Sequence, residues 1–215
     1  MVNSKGNITI LDLGINNINS VKRAFQRNNQ EVEIYIRDSD SDLGNTRLVV
    51  LPGLGSFASG MEQLQRRKLD KYILRAKENE IAVVGICLGM QLLGLVSDES
   101  PGVQGLGLIQ GENKVLPINS KERIPNVGWM GGKPQDKAIS FPSLAQGKDF
   151  YFVHSYHFVP KFDSDIIFKS MYGEIEITTG IMHEKVLGFQ FHPEKSSAIG
   201  NKLIKEISNW GMSEN

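Results

Sequence analysis

Residues 81–89 read Ile-Ala-Val-Val-Gly-Ile-Cys-Leu-Gly, an apolar run that ends in a cysteine with one glycine two positions before it and another two positions after it. A short apolar run without polar alternation is typical of a strand that is buried on both faces. The apolar character continues to residue 96, which is shorter than the roughly 20 residues that a membrane-spanning helix requires. The stretch 81–96 therefore predicts a buried strand followed by a helix, at the centre of a sheet covered on both sides.

The sequence before this run alternates between strand and helix patterns. Apolar, β-rich segments at 7–13, 31–36 and 48–51 predict strands, and the spacing of apolar residues over 20–28 and 61–77 predicts helices. Strands separated by helices are the pattern of a parallel sheet with helices on both faces.

The sequence after residue 107 is richer in strands and short turns. It predicts strands at 150–159, 166–171, 174–179 and 186–191, and a last helix over about 198–210 with four apolar residues on one face. The predicted fold is therefore mixed α/β: a mostly parallel twisted sheet flanked by helices, with an antiparallel β extension. No repeat or linker divides residues 1–215, which predicts a single domain.

Composition excludes several classes of protein. The 215 residues carry 24 basic and 24 acidic side chains, and this balance argues against nucleic acid or an anionic membrane as the main partner. The lone cysteine, Cys87, has no internal disulfide partner, and the N-terminal residues lack the apolar core of an export signal. We therefore expect a cytoplasmic protein.

Cys87 lies in a Gly85-x-Cys87-x-Gly89 pattern at the predicted strand-to-helix junction, which is the form of a nucleophile elbow. Such a turn strains the backbone of the nucleophile, and glycines two residues before and after it avoid a collision. The start of the helix favours the thiolate, and the backbone N–H of Leu88 is placed to stabilise an oxyanion. A lone cysteine is otherwise commonly a small buried apolar residue.

A second group of polar residues follows the apolar segment 188–191, where His192 is followed by Pro193 and Glu194. A thiol nucleophile needs a base within about 3 Å, and that base needs an acceptor on its other nitrogen. Cys87, His192 and Glu194 supply these three parts. Without a cysteine elbow, the same pair would be read as surface residues at a strand end.

The segment Pro52-Gly53-Leu54-Gly55-Ser56-Phe57 also joins a strand to a helix. Its glycines allow a close approach of backbone to ligand, so Leu54 or Gly55 is a candidate second oxyanion donor. A phosphate-binding loop fits less well, because neither the Walker ending nor the third glycine of a dinucleotide fingerprint is present.

Residues 151–157, Tyr-Phe-Val-His-Ser-Tyr-His, predict a strand with unusual polar content. His154 and His157 are three positions apart, on opposite faces of a single strand, which argues against a shared metal ion. With four histidines and one cysteine in no ligand-like spacing, the sequence predicts no metal site.

Four motifs in this order, PGLGSF, GICLGMQLL, YFVHSYHF and GFQFHPEKS, resemble those of the class I (triad) glutamine amidotransferases. The DLG, GLGLIQG and PNVGW segments make the chain most similar to the glutaminase subunits of imidazole glycerol phosphate synthases within that family. The resemblance implies Cys87 as nucleophile, His192 as general acid and base, and Glu194 as its orienting partner. It also implies a set of glutamine-binding residues: Gly53, Gly55, Gln91, His154, Ser155 and Tyr156.

The resemblance implies hydrolysis of L-glutamine to glutamate and ammonia through a thioester, without a metal or organic cofactor. It implies a heterodimer in which ammonia passes through a channel to a (β/α)₈-barrel cyclase subunit that serves histidine biosynthesis. The partner and its ligand are expected to activate the glutaminase.

Two segments depart from the usual pattern of these subunits. Residues 14–17 read Gly-Ile-Asn-Asn in place of Gly-Met-Gly-Asn, and residues 126–130 read Asn-Val-Gly-Trp-Met in place of His-Met-Gly-Trp-Asn. Both lie outside the triad. One alternative is a paralogous subunit that supplies ammonia to another synthase, such as one that modifies a surface-polysaccharide sugar. Two further alternatives are another cysteine hydrolase, such as a peptidase, and a non-enzymatic interaction protein.

Overall fold

The computed structural model describes residues 6–15, 17–117, 123–145 and 148–213. The described helices are α1 (Ile18–Asn28), α2 (Phe57–Arg66), α3 (Leu69–Glu78), α4 (Leu88–Leu92) and α5 (Ser197–Met212). The described strands are β1 (Asn7–Leu11), β2 (Ile34–Arg37), β3 (Thr46–Gly53), β4 (Ala82–Cys87), β5 (Val96–Ser97), β6 (Gly111–Val115), β7 (Asn126–Pro134), β8 (Asp149–His154), β9 (Tyr156–Pro160), β10 (Ile166–Tyr172), β11 (Ile175–His183) and β12 (Val186–Phe189).

A nine-stranded sheet in the order β2-β1-β3-β4-β12-β11-β10-β7-β8 forms the centre of the fold. The strands from β2 to β12 pair in parallel, and those from β12 to β8 pair antiparallel. A small second sheet has the order β5-β6-β9. The predicted mixed α/β fold, with a sheet flanked by helices and an antiparallel extension, is confirmed.

The two faces of the sheet bury separate apolar clusters. Side chains of β3 alternate between them: Leu48 and Val50 pack on the face covered by α1 and α5, while Val49 and Leu51 pack on the face covered by α2 and α3. Burial on both faces explains why β3 and β4 are continuous apolar runs rather than alternating ones.

The predicted helix over 61–77 is wrong, because two helices, α2 and α3, replace it. Leu64 and Leu69 are both fully buried, yet five positions on one straight helix are separated by about 140° around its axis. Lys68 adopts φ = +57° between the two helices and ends the first. The break returns both leucines to the same core.

The predicted single strand over 150–159 is also wrong. It divides at Ser155 into β8 of the large sheet and β9 of the small sheet. His154 and His157 therefore lie on different strands, and the argument that placed them on opposite faces of one strand does not hold.

Three short-range features were not predicted individually: β5 begins where the predicted helix within 81–96 was expected to end, and β6 and β7 lie after residue 107, in the part described only as rich in strands and short turns. Gly102, Gly105 and Gly107 lie in the loop between β5 and β6, and Gly111 begins β6. No helix within the described residues is long and apolar enough to cross a membrane.

Candidate active site

Cys87 is the last residue of β4 and directly precedes α4. Its backbone has φ = +55° and ψ = −113°, a conformation that L residues rarely adopt and that costs of order 1–3 kcal/mol. The predicted strained elbow is present. Since β4 is flanked by β3 and β12, the cysteine is held at the carboxyl edge of three parallel strands.

The two glycines of the elbow are required for different contacts. A Cβ on Gly85 would come within 2.5 Å of the carbonyl oxygen of Gly89, as expected for residues on either side of such a turn. A Cβ on Gly89 would lie 1.7 Å from the carbonyl oxygen of Leu51, in the neighbouring strand β3. The second glycine therefore allows the elbow to pack against β3.

His192 and Glu194 reach the same edge from β12. His192 follows that strand, and the 3₁₀ turn Pro193–Lys195 folds Glu194 back so that its Oε1 lies 2.8 Å from Nδ1 of the imidazole. Both side chains are buried, with 3% and 4% exposure. Ser196 fixes the turn, because its hydroxyl donates to the His192 carbonyl and accepts from the Tyr151 N–H.

The surroundings of His192 favour its charged form once Cys87 has lost its proton. Burial opposes the imidazolium, but the adjacent Cys87 sulfur and the hydrogen-bonded Glu194 carboxylate outweigh burial and raise the pKa of His192 to about 10. Within the described residues, the Nε2 atom of this ring has no hydrogen-bond partner of normal geometry. The thiol of Cys87 instead donates to the Val153 carbonyl, at 3.7 Å.

A pocket of about 210 Å³ opens beside the sulfur. Drug-sized ligands generally occupy pockets of about 300 Å³ or more, so this volume suits a smaller molecule such as an amino acid. Its lining residues are Leu54, Gly55, Cys87, Leu88, Gln91, Glu99, Pro125, Val153, His154, Ser155 and Tyr156.

Of the predicted oxyanion and glutamine-binding residues, all except Gly53 line the pocket. Gly53 pairs with Cys87 in the sheet, and a Cβ there would lie 2.9 Å from the Cβ of Leu88. It is needed for packing behind the pocket wall. Gly55 is exposed at φ = +99° with no atom near its missing side chain, so its conformation, not space, requires glycine.

His154 lines the pocket as predicted for a glutamine-binding residue, and its ring is neutral. Its Nδ1 lies 2.9 Å from the Tyr156 carbonyl and its Nε2 lies 3.0 Å from the side-chain nitrogen of Asn126. A carbonyl accepts and an amide nitrogen donates, so the proton is on Nδ1. Burial lowers the pKa of His154 to about 4.

Gln91, on α4, is almost fully buried, and its side-chain nitrogen donates to two acceptors. These are the Tyr156 carbonyl and the side-chain oxygen of Gln190, each at 3.1 Å. Both N–H groups of Gln91 are therefore used by the protein, and the two bonds fix the orientation of the carboxamide.

Sequence reasoning missed three polar residues at this site. Glu99 lines the pocket, and its carboxylate accepts the Phe57 N–H at 2.7 Å. Asn126 holds His154, and its side chain also contacts the sulfur of Met130 at 3.6 Å. Gln190 lies within the GFQFHPEKS motif, but nothing in the sequence marks it as a neighbour of the sulfur. Glu99 lies in a loop with no periodic pattern, so the sequence carries no signal that it reaches the pocket.

Comparisons with known proteins identify the family. The family model for class I glutamine amidotransferases matches residues 9–207. The chain is 38% identical over 204 residues to imidazole glycerol phosphate synthase subunit HisH of Prochlorococcus marinus, covering 95% of this chain and 93% of that protein. It is also 38% identical over 201 residues to the subunit of the same name from Pyrococcus furiosus, covering 93% and 97%.

The fold also agrees with that of a solved glutamine amidotransferase. A crystal structure of a glutamine amidotransferase from Thermotoga maritima superimposes with a TM-score of 0.69 at 15% identity, covering 98% of this chain and 99% of that one. Because the family model matches residues 9–207 and the relatives are 38% identical over nearly the whole chain, the chain belongs to the class I glutamine amidotransferase family.

Proposed function

We propose that this chain is the glutaminase subunit of an imidazole glycerol phosphate synthase, and that it hydrolyses L-glutamine and passes ammonia to a synthase subunit. The observation that carries the proposal is that Cys87, which lines the small pocket, lies beside the buried His192–Glu194 pair. Membership of the amidotransferase family disfavours the alternatives of a cysteine peptidase and a non-enzymatic protein.

The reaction begins with transfer of the thiol proton from Cys87 to Nε2 of His192, which Glu194 stabilises as the imidazolium. The thiolate attacks the side-chain carbonyl carbon of glutamine and forms a tetrahedral intermediate. His192 then protonates the leaving nitrogen, so ammonia departs and a thioester remains on Cys87. Water, deprotonated by His192, hydrolyses the thioester and releases glutamate.

The oxyanion of the tetrahedral intermediate needs backbone donors beside the sulfur. The first N–H groups of a helix have no partner within the helix, and Leu88 is the first residue of α4. Leu54 and Gly55 reach the same pocket from the end of β3. We assign the N–H of Leu88 and one N–H of the Leu54–Gly55 loop to this role.

Glu99 is our candidate for the α-ammonium group of glutamine. A free amino acid carries a positive charge on its amino group, and Glu99 is the acidic side chain among the residues that line the pocket. Because the Phe57 N–H already binds one carboxylate oxygen, the side chain is held in place before the substrate arrives. Gln91, Ser155 and Tyr156 complete the binding site in this proposal.

The synthase subunit docks, in our proposal, on the exposed side of β7 and β8. Trp129 and Val127 are about half exposed, although both are large apolar residues on a strand. The Trp129 ring packs edge-on against Tyr151 at 5.9 Å, and the Tyr151 ring lies 6.5 Å from the imidazole of His192. This face therefore lies next to the group that protonates the departing ammonia, as a partner that receives ammonia requires.

The proposed partner is a (β/α)₈-barrel cyclase in a heterodimer. We also place the protein in the cytosol, because the lone Cys87 acts as a nucleophile only while it stays reduced.

A paralogous subunit with a different ammonia acceptor is the second candidate. It is favoured by the pair Asn126 and Met130, two departures from the usual subunit pattern that contact each other on the proposed docking strand. The glutaminase chemistry is the same in both cases. Assay of the reconstituted complex with each acceptor distinguishes the two, since only the correct acceptor consumes the ammonia.

The proposal is tested by Cys87→Ala in the complex with its synthase. We expect synthesis from glutamine to be abolished, while synthesis from added ammonium salt survives, because only the nucleophile is lost. Residual glutamine-dependent synthesis near the wild-type rate would contradict the role of Cys87. Loss of both activities would instead reveal damage to docking.

A further inference from the structure

The carboxamide of Gln190 occupies an unusual position directly beside the nucleophile. Gln190 is fully buried and follows β12, whose last residue pairs with Ile86, so Gln190 is next to Cys87 across the sheet. Its side-chain nitrogen lies 3.8 Å from the sulfur as a donor, and its side-chain oxygen accepts from Gln91 at 3.1 Å.

The bond from Gln91 fixes which end of the Gln190 carboxamide faces the sulfur. Gln91 can only donate at its nitrogen, and that nitrogen also donates to the Tyr156 carbonyl. The Gln190 oxygen must therefore face Gln91, which leaves the Gln190 N–H pointing at Cys87. A flipped carboxamide would place two N–H groups against each other in a buried site.

The two hydrogen-bond contacts to the sulfur, among the described residues, favour opposite protonation states. The Val153 carbonyl accepts a hydrogen bond from the S–H group and so favours the thiol. The Gln190 N–H donates to the sulfur and so favours the thiolate, because a donor binds a charged acceptor more strongly than a neutral one. When the thiol proton moves to His192, only the Gln190 contact remains favourable.

We propose that Gln190 is a positioning residue of the glutaminase reaction, which holds the Cys87 sulfur and stabilises its thiolate through an N–H bond oriented by Gln91. This inference rests on the proposed function for its catalytic consequence, but the thiolate itself is measurable without substrate.

The test uses the full-length Gln190→Met variant, which keeps the length of the side chain and removes the donor. Because Cys87 is the only cysteine, its alkylation by iodoacetamide is followed by mass spectrometry over a pH series. We expect the pH midpoint of alkylation to rise by about one unit, the size of one charge-assisted hydrogen bond. Glutamine hydrolysis at pH 7 should fall about tenfold and recover at higher pH.

Thr179→Val is the matched control. Thr179 is also fully buried, its carbonyl accepts the Gln190 backbone N–H, and its hydroxyl pairs with Ser170 rather than with the sulfur. This variant should keep the wild-type midpoint. If folded Gln190→Met has an unchanged alkylation midpoint, the proposal is overturned. If its KM for glutamine also rises at every pH, Gln190 only supports Gln91.

A measurement on the wild-type chain keeps the test valid if Gln190→Met does not fold. The side-chain N–H resonance of Gln190 in ¹⁵N-labelled protein should move as Cys87 loses its proton, with the same midpoint as alkylation. A resonance that stays constant through that midpoint would reject the contact. Failure to release ammonia from glutamine would reject the proposed function instead, and leaves both of these readouts intact.

Discussion

At the scale of single residues, His154 and His192 show that burial alone does not set the charge of a histidine. Both rings are more than nine-tenths buried by exposed fraction. His192 is next to a sulfur and a carboxylate, which raise its pKa to about 10. His154 meets a carbonyl and an amide, so burial dominates and lowers its pKa to about 4. One ring suits proton transfer, and the other suits a fixed wall.

The lowered pKa of His154 predicts that the free energy of unfolding decreases in acid. Its pKa is lower in the folded chain than the ordinary 6.5, so the unfolded chain binds the extra proton between pH 6.5 and about 4. The stability is present above pH 6.5 and falls with pH by up to about 1.4 kcal/mol per unit in that window. Urea unfolding of wild type and His154→Gln at pH 7 and pH 5 measures it, and equal pH slopes would contradict the assignment.

Glu99 predicts a change in affinity rather than in rate. Glu99→Gln keeps an oxygen for the Phe57 N–H but removes the charge, so KM for glutamine should rise about 10- to 100-fold with kcat nearly constant. Steady-state kinetics of the complex give both values. Asp98→Asn, at the exposed neighbour that pairs with Lys114, is the control and should leave KM unchanged. A fall in kcat alone would assign Glu99 to another step.

At the scale of elements, the elbow between β4 and α4 was predictable because its chemistry is local. A buried strand, a strained cysteine and glycines on either side all lie within nine residues. The break between α2 and α3 and the division of β8 from β9 were not predictable in this way, because distant partners decide them. The helix breaks at Lys68 because Leu64 and Leu69 must share one core. The chain leaves the large sheet after His154, and Gln91 binds the carbonyl of Tyr156 at the start of β9.

Gly89 gives the prediction at this scale. In Gly89→Ala the new methyl group would lie 1.7 Å from the Leu51 carbonyl oxygen, so the backbone of α4 or of β3 would have to shift. We expect a destabilisation of about 3 kcal/mol, which corresponds to a fall in Tm of about 6–12 °C.

Differential scanning calorimetry measures this loss, and Gly44→Ala is the matched control. A side chain on Gly44 would meet no atom within 4 Å, so only its left-handed φ of +54° opposes the substitution. That variant should lose only about 1–2 kcal/mol, the cost of the left-handed conformation for an L residue. Equal losses at the two positions would show that contact with Leu51 is unimportant.

At the scale of the whole molecule, the site is assembled from residues that are far apart in sequence. The sequence predicted the triad because each member carries a recognisable local pattern at a strand end. It did not predict Glu99, Asn126 or Gln190, whose roles depend on what the folded chain places opposite them: the Phe57 N–H, His154 and the sulfur. A loop residue or a buried amide has no pattern of its own.

Trp129 provides the prediction for the assembled enzyme. Trp129→Glu puts a charge on the proposed docking face, and loss of a central aromatic contact generally costs 2 kcal/mol or more. We expect the Kd for the synthase subunit, measured by titration calorimetry, to rise at least about 30-fold.

Ile139→Glu is the control for this variant. Ile139 is 87% exposed in a separate groove with Pro134 and Ala145, so a charge there should leave binding unchanged. If Ile139→Glu weakened the complex and Trp129→Glu did not, the synthase would dock on the other groove.

At Gly89 the backbone of α4 packs directly against the backbone of β3 at Leu51, with no side chain between the two segments. The cysteine and the strand that leads to Gly53 must consequently move as one body, and any rearrangement that docking causes in this wall begins only after Gly53. If position 89 is randomised and the variants are selected for glutamine-dependent synthesis by the two-subunit complex, we expect only glycine to be recovered.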